Sequence, residues 1–276
     1  MHFDTVIANG LVVTASKTVR ADVGIVDGKI AAIEESLPRS SAPRVLDASG
    51  KYVLPGGVDV HTHLDMPLGD ISSSDDFETG TRAAAFGGTT TIIDFATQSR
   101  GQSLRSAVDL WMQKSASRSV IDYGFHCIIS DLRSGWMEEM DELVRDGITS
   151  FKVFMAYPNT LMLDDADIFK VLRASVRNGA LVCVHAENGS VIDVLVRQAL
   201  AQRNTAPKFH ALTRPTLAEA EAVGRAIAIA QMAGAALYVV HVSCDDALQK
   251  IREAHNQHLP VYAETCPQYL YLSLDD

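Results

Sequence analysis

Gly57-Val58-Asp59-Val60-His61-Thr62-His63, set just behind Pro55-Gly56, is a short apolar run closed by two histidines one residue apart. In a strand, alternate side chains share a face, so both imidazoles point the same way and can grip one metal ion. A lone His-x-His proves little. This one gains weight because later strand-like runs also carry a lysine or a histidine. Lys152 lies in Ile148-Thr149-Ser150-Phe151-Lys152-Val153-Phe154-Met155, His185 in Val182-Cys183-Val184-His185-Ala186-Glu187, and His241 in Tyr238-Val239-Val240-His241-Val242-Ser243.

Working outward from that run, the chain repeats strand, loop and helix. Strand candidates begin near Val58, Thr89, Asp122, Ser150, Leu181, Leu237 and Val261, with helical patterns between them. Asp164 can cap a helix that runs through Val171-Leu172 to Gly179, and Thr216-x-x-Glu219 reads as a capping box opening a helix that stops at Gly234. Alternating βα units build either an open doubly wound sheet or a closed barrel. No Gly-x-Gly-x-x-Gly follows the first strand, and polar residues fall near the C-terminal ends of many different strands. Both points favour an α/β barrel with its site on that face. Seven strands are readable over residues 53–276, where a parallel barrel takes eight, so the sequence reads as a fragment or truncated product short of its last unit.

Residues 1–52 show a different pattern. Asn9-Gly10 lies between Phe3-Asp4-Thr5-Val6-Ile7 and Leu11-Val12-Val13, and Asp27-Gly28 between Val23-Gly24-Ile25-Val26 and Lys29-Ile30-Ala31-Ala32-Ile33. Both dipeptides are hairpin signals, and Val45-Leu46 and Tyr52-Val53 close a small separate sheet.

The 276 residues are 47% apolar and 21% charged, ordinary values for a soluble globular chain able to bury a substantial core. A net charge of −10 argues against nucleic acid or an anionic membrane as partner. No basic, apolar, small-residue signal opens the chain. The longest apolar stretch, Ala226 to Val240, is broken by Gln231 and Gly234 and reads as a helix end plus a strand, not a membrane span. Cys127, Cys183, Cys244 and Cys266 are scattered without C-x-x-C spacing, which predicts free thiols in a reducing cytoplasm.

Any one of His61, His63, His185 and His241 could be a satisfied core histidine. Four at equivalent strand ends point instead to neutral imidazoles suited to Zn²⁺, and to two ions rather than one closed structural site. His2, His126, His210, His255 and His258 receive no role. Lys152 has no acidic residue nearer in sequence than Asp146. Burial of an unpaired ammonium lowers its pKa, and the neutral amine can add CO₂ to give a carbamate long enough to bridge two metals. A lysine snorkelling at the barrel rim is the plainer alternative.

Four stretches together closely resemble dihydropyrimidinases and D-hydantoinases, of the cyclic-amidohydrolase branch of the metal-dependent amidohydrolases. They are Pro55-Gly56-Gly57-Val58-Asp59-Val60-His61-Thr62-His63-Leu64-Asp65-Met66-Pro67, Ser150-Phe151-Lys152-Val153-Phe154-Met155-Ala156-Tyr157, His185-Ala186-Glu187-Asn188 and Glu264-Thr265-Cys266-Pro267-Gln268-Tyr269-Leu270. The resemblance runs through essentially the whole chain. It implies a distorted (β/α)₈ TIM-type barrel, here lacking its last unit, with a small and incomplete N-terminal β-sandwich domain. It also implies two Zn²⁺ per subunit, bridged by N6-carboxylated Lys152 and hydroxide, with His61 and His63 on one ion and His185 and His241 on the other. Tyr157 matches the family tyrosine that binds substrate and donates to the developing oxyanion. The implied substrate is a small cyclic ureide opened to an N-carbamoyl amino acid, and the implied assembly is a homotetramer.

The family's last metal ligand is an aspartate at the end of the eighth strand, which also takes the proton, and no residue here matches it. Asp59, Asp65 and Asp94 belong to early strands and read as structural. Dihydroorotases carry His-x-His-x-Arg, where this chain has Asp65. An allantoinase-like cyclic amidohydrolase is an alternative, although Leu64-Asp65-Met66-Pro67 fits a hydantoinase better. A non-catalytic truncated scaffold, akin to the collapsin response mediator proteins that have lost metal ligands, is disfavoured by the presence of His61, His63, Lys152, His185 and His241 together.

Overall fold

The computed structural model describes residues 1–69 and 71–274, in two compact units: Met1–Val58 with Gly88–Thr90, and Asp59–Gly87 with Thr91–Asp276.

The smaller unit is built on β1 (Thr5–Val13), β2 (Thr18–Val26), β3 (Lys29–Glu34), β4 (Arg44–Asp47) and β5 (Tyr52–Val53). The sheet order is β3-β2-β1-β4, with β5 also beside β1; β1–β2 and β2–β3 are antiparallel, whereas β4 and β5 run parallel to β1. Asp27 and Gly28, at φ 49° and 71°, make the tight β2–β3 turn expected of Asp-Gly. Asn9-Gly10 is not a hairpin. It lies inside β1 as a bulge, with Asn9 at φ 64° and the β1–β2 register shifting between Ile7 and Gly10. The reason is a set of distant partners. The Asn9 N–H donates to Asp22 at 2.7 Å, its side-chain amide donates to Asp47 at 2.8 Å, and its amide oxygen accepts from Arg39 at 2.9 Å. The β1–β2 reversal falls instead at residues 14–17, where the Thr14 N–H donates to the Lys17 carbonyl at 2.8 Å. Asp22 is only 2% exposed and also accepts from the Leu37 N–H at 2.8 Å and the Arg39 guanidinium at 2.6 Å. Burial works to raise its pKa, but these donors outweigh it and leave the carboxyl below its ordinary value.

The larger unit holds a seven-stranded sheet in the order β6 (Gly57–Thr62), β9 (Thr89–Thr97), β10 (Asp122–Ile128), β11 (Ser150–Phe154), β12 (Leu181–His185), β13 (Leu237–Val239), β14 (Val261–Ala263). Every pairing from β9 to β14 is parallel. A two-residue hairpin, β7 (Pro67–Leu68) and β8 (Ile71–Ser72), comes after β6. The strands are joined by α1 (Phe77–Phe86), α2 (Leu104–Ser115), α3 (Trp136–Arg145), α4 (Asp165–Asn178), α5 (Gly189–Ala201), α6 (Lys208–Leu212), α7 (Thr216–Ala233) and α8 (Asp245–Asn256). Strands β6 and β14 are the two ends of the sheet, yet His61 near the end of β6 hydrogen-bonds Glu264 just after β14. The sheet is therefore curled into a barrel arc rather than opened flat. Its core packs Ile92, Cys127, Phe151, Val153, Val182 and Val184 of the strands against Leu104, Trp111, Leu143 and Val171 of the helices.

Helix α4 is capped as the sequence predicts: the Asp164 carboxylate accepts from the Asp167 N–H at 2.8 Å, and Gly179 ends it in the left-handed region. Helix α7 is not. Pro215 sits at its N-cap without a side-chain bond, and Thr216 is already helical. The Thr216 hydroxyl donates instead to Asp246 at 2.9 Å, and Glu219 accepts from the Ser243 N–H at 2.9 Å and its hydroxyl. The side chains expected to cap α7 therefore tie its start to the loop that opens α8. Cys127, Cys183, Cys244 and Cys266 are all free thiols. Among the described residues no helix is long and apolar enough to cross a membrane.

Candidate metal centre

Histidines 61 and 63 leave the end of β6 on one face, as alternation demands. What fixes their direction is Asp94 of β9, which is fully buried. Its carboxylate accepts from the Thr62 hydroxyl at 2.7 Å and the Leu64 N–H at 2.8 Å, so the residues on both sides of His63 are tied down. It also accepts from its neighbour Phe95 N–H at 2.8 Å and from Trp111 Nε1 at 3.0 Å. Burial nevertheless pushes the Asp94 carboxyl above its ordinary value, because desolvation at this deep position outweighs all four hydrogen bonds.

The imidazoles meet in two pairs. His61 Nε2 lies 3.2 Å from His63 Nε2, and His185 Nδ1 lies 3.0 Å from His241 Nε2. The pairs adjoin, with the His61 and His241 ring centroids 5.4 Å apart. His185 is the last residue of β12; His241 lies just past β13 with its backbone at φ 41°, a left-handed conformation rare for a side-chain-bearing residue. Lys152, in the middle of β11 and 1% exposed, brings Nζ to 3.3 Å from His61 Nε2 and over the rings of Phe95 and Phe154 at 4.4 and 4.9 Å.

Burial, and then the nearby Lys152 and histidines, push His63 down to about 3 and His241 down to about 2. Burial likewise lowers His185, against the opposing pull of Glu187. These rings are neutral at physiological pH and present lone pairs. Burial brings Lys152 down to about 8. The sequence predicts a neutral amine; the shift is partial, leaving about a tenth of it uncharged at pH 7.

The donor set fits divalent metal ions. Two nitrogens on one tetrahedral zinc stand about 3.3 Å apart, and the spacings within both pairs lie close to that. The second nitrogen of His63, Nδ1, is buried without a hydrogen-bond partner. Among the described residues no three His, Cys, Asp or Glu side chains converge on one point. The histidines come as two adjoining pairs, and Lys152 stands beside them.

Tyr157 joins this group from the turn after β11. Its backbone is left-handed at φ 64°, and its carbonyl accepts from the N–H groups of Leu161 at 3.2 Å and Met162 at 3.1 Å. Its ring centroid lies 5.3 Å from that of His185, and burial raises its pKa. Tyr157, His185, Glu187, Arg214, His241 and Tyr269 line one side of a cavity of about 470 Å³. The sequence-predicted residues His61, His63, Lys152, His185, His241 and Tyr157 are thus brought together. Asp59 and Asp65 are not: Asp59 accepts from the His61 N–H at 3.0 Å, and Asp65 pairs with Arg118.

The sequence alone assigns no role to Glu187, Glu264 or Arg214. Glu187 Oε2 is 2.7 Å from His185 Nε2, and Glu264 Oε1 is bonded to His61 Nδ1. For both carboxyls burial works upward, but the histidine hydrogen bonds and, at Glu187, the Arg214 charge hold them below the ordinary value. Glu187 was detectable, since it stands two residues after His185 at a strand end. Arg214 and Glu264 reach the centre only through the fold.

A sequence profile of the amidohydrolase family matches residues 52–258, which takes in His61, His63, Lys152, His185 and His241. The chain belongs to the amidohydrolase family. Within that family it is 54% identical over 280 residues to a D-hydantoinase of Streptomyces coelicolor, covering 100% of this chain and 60% of that one. It is 53% identical over 267 residues to a D-hydantoinase of Geobacillus stearothermophilus, covering 96% of this chain and 56% of that one. The fold superposes on a dihydropyrimidinase from Brevibacillus agri with a TM-score of 0.95 and 55% identity, over 98% of this amidohydrolase chain and 59% of the other. The chain spans about 60% of the length of the curated relatives it matches.

Proposed function

We propose that this amidohydrolase chain carries the metal centre of an enzyme that hydrolyses the cyclic amide bond of dihydropyrimidines or hydantoins to N-carbamoyl amino acids. The observation that carries the proposal is the meeting of His61, His63, Lys152, His185 and His241, with Tyr157 over the adjoining cavity. The similarity to D-hydantoinases and a dihydropyrimidinase supplies the substrate class, a cyclic ureide.

On this reading His61 and His63 would hold one Zn²⁺ and His185 and His241 the other. The uncharged fraction of Lys152 adds through Nζ to the carbon of CO₂, forming an N–C bond and releasing one proton. The carbamate so formed would have two oxygens at the end of a long arm, able to serve both histidine pairs. Bound metal ions activate water and polarise the substrate carbonyl. Tyr157, kept protonated by burial, is the hydrogen-bond donor for the oxygen that gains charge as the carbonyl carbon becomes tetrahedral. The water oxygen stays on that carbon, the ring C–N bond breaks, and the departing nitrogen takes a proton.

The same reading includes a homotetrameric assembly, by family similarity, and a cytoplasmic location, favoured by four free thiols. The assembly is that of the completed chain, and sedimentation of the completed chain as a monomer would refute it. The function is tested by measuring the metal content of the purified chain, together with ring opening of dihydrouracil and 5-substituted hydantoins. The ring-opening assay uses the chain joined to the remaining length of the Streptomyces coelicolor relative. About two zinc ions per chain and turnover are expected, with Lys152→Ala abolishing both. Full turnover by Lys152→Ala would sink the mechanism.

A further inference from the structure

The two histidine pairs are assembled from opposite ring nitrogens, and a carboxylate stands behind one ring of each. His61 turns Nε2 toward His63 and Lys152, at 3.2 and 3.3 Å, while its far nitrogen, Nδ1, is bonded to Glu264. His185 does the reverse. It turns Nδ1 toward His241, at 3.0 Å, while its far nitrogen, Nε2, is 2.7 Å from Glu187. A neutral imidazole carries one N–H and one lone pair, and an ionised carboxylate can only accept. A neutral ring facing an ionised carboxylate at these positions would carry its proton on Nδ1 at His61 and on Nε2 at His185.

We propose that Glu264 and Glu187 are positioning residues that lock His61 and His185 in opposite tautomers, so that each ring presents its lone pair to the centre. The inference rests on the metal reading above and adds what selects the donor atom of each ring. Each carboxylate is itself anchored. Glu264 Oε2 accepts from the Tyr238 hydroxyl at 3.0 Å, and its backbone N–H bonds the Val239 carbonyl at 3.1 Å. Glu187 Oε2 lies 3.7 Å from Arg214 Nε, and Arg214 is held in turn by the His210 carbonyl at 2.9 Å. Glu187 stands two residues beyond His185 in sequence, whereas Glu264 follows β14, at the opposite end of the strand order from the β6 that carries His61. With both rings in one tautomer, one of the carboxylates would face a lone pair instead of an N–H.

Long-range ¹H–¹⁵N spectra of the histidine rings in the metal-free 276-residue chain read the tautomers directly, and equilibrium dialysis against zinc reads the affinity. The expected wild-type spectrum shows His61 as the Nδ1–H form and His185 as the Nε2–H form. Glu187→Ala is expected to mix the His185 forms and weaken zinc binding about 10–100-fold, the usual range for losing such a carboxylate. Glu187→Gln, whose amide oxygen accepts from the same N–H, is expected to restore the Nε2–H form and most of the affinity. The same tautomer on both rings in the wild type overturns the proposal, as does Glu187→Ala with unchanged tautomer and affinity. Should Glu187→Ala fail to fold, the wild-type and Glu187→Gln spectra decide it. A chain that binds no zinc overturns the metal reading alone, because the ring spectra still judge the tautomers.

Discussion

Asp22 in the small sheet and Asp94 in the barrel arc do the same job in opposite electrostatic states. Each is a buried carboxylate that gathers N–H and side-chain donors from separate segments. Asp22 has a guanidinium among its donors and its pKa falls; Asp94 has only hydroxyl, amide and indole dipoles, and its pKa rises. At Asp22 the backbone N–H bonds from Leu37 and Asn9, with Arg39 added, outweigh desolvation, whereas at the more deeply buried Asp94 desolvation outweighs four neutral donors. The small unit is held at Asp22 by two backbone N–H groups and Arg39. The candidate metal centre rests on a carboxylate whose ionised form is costly and whose removal strands more donors.

The comparison is broken most directly at Asp94. Asp94→Ala leaves Trp111 Nε1, the Thr62 hydroxyl and two backbone N–H groups without their acceptor, at roughly 1–3 kcal/mol for each group left unpaired in the interior. Relaxation makes such losses less than additive, so a fall of about 3–5 kcal/mol in unfolding free energy is expected, along with loss of zinc bound per chain. Urea unfolding and elemental analysis check both; a loss below about 1 kcal/mol would mean the donors find water instead. Asp22→Ala is the smaller break. Arg39 is 44% exposed and regains water, so a loss of about 2 kcal/mol is expected, with zinc content unchanged.

The most delicate test is the sign of the pH dependence. With its folded pKa lowered, Asp22 contributes stability that is present above 3.8 and is lost as pH falls through the folded value. With its folded pKa raised, Asp94 contributes stability that is fully present below 3.8 and is lost as pH rises through the folded value. Subtracting the unfolding free energies of Asp22→Asn and Asp94→Asn from wild type across the acid range should give curves of opposite slope. Parallel curves would erase the distinction.

Much of this architecture was legible in the letters: strands β9 to β14 begin at the residues where the strand pattern begins, β11 and β12 are short and almost wholly buried runs, and Asp164 and Gly179 bound α4 by purely local chemistry. The misreadings share one cause. Asn9-Gly10 has the letters of a turn and Thr216-x-x-Glu219 those of a cap, but in each case a side chain distant in sequence took the local partner's place. Asp22 and Asp47 hold Asn9 within a strand, and Ser243 and Asp246 draw off Glu219 and Thr216. The same distance in sequence hid Glu264 and Arg214 from the site reading. His61, His63, Lys152, His185 and His241 were visible because each sits in or at the end of a run that could be recognised locally.

Tyr157 and His241 both hold left-handed backbone, a conformation that costs a side-chain-bearing residue on the order of 1–2 kcal/mol and costs glycine almost nothing. Breeding this chain for robustness would therefore work against the roles proposed for these two residues. A randomised library ranked by yield or heat resistance should enrich glycine and asparagine at these two positions, discarding the phenol and an imidazole while every gross measure of folding improves. If the proposed function holds, the sturdiest descendants would be the least able to react, and only a selection on turnover of the completed enzyme would keep the strained pair.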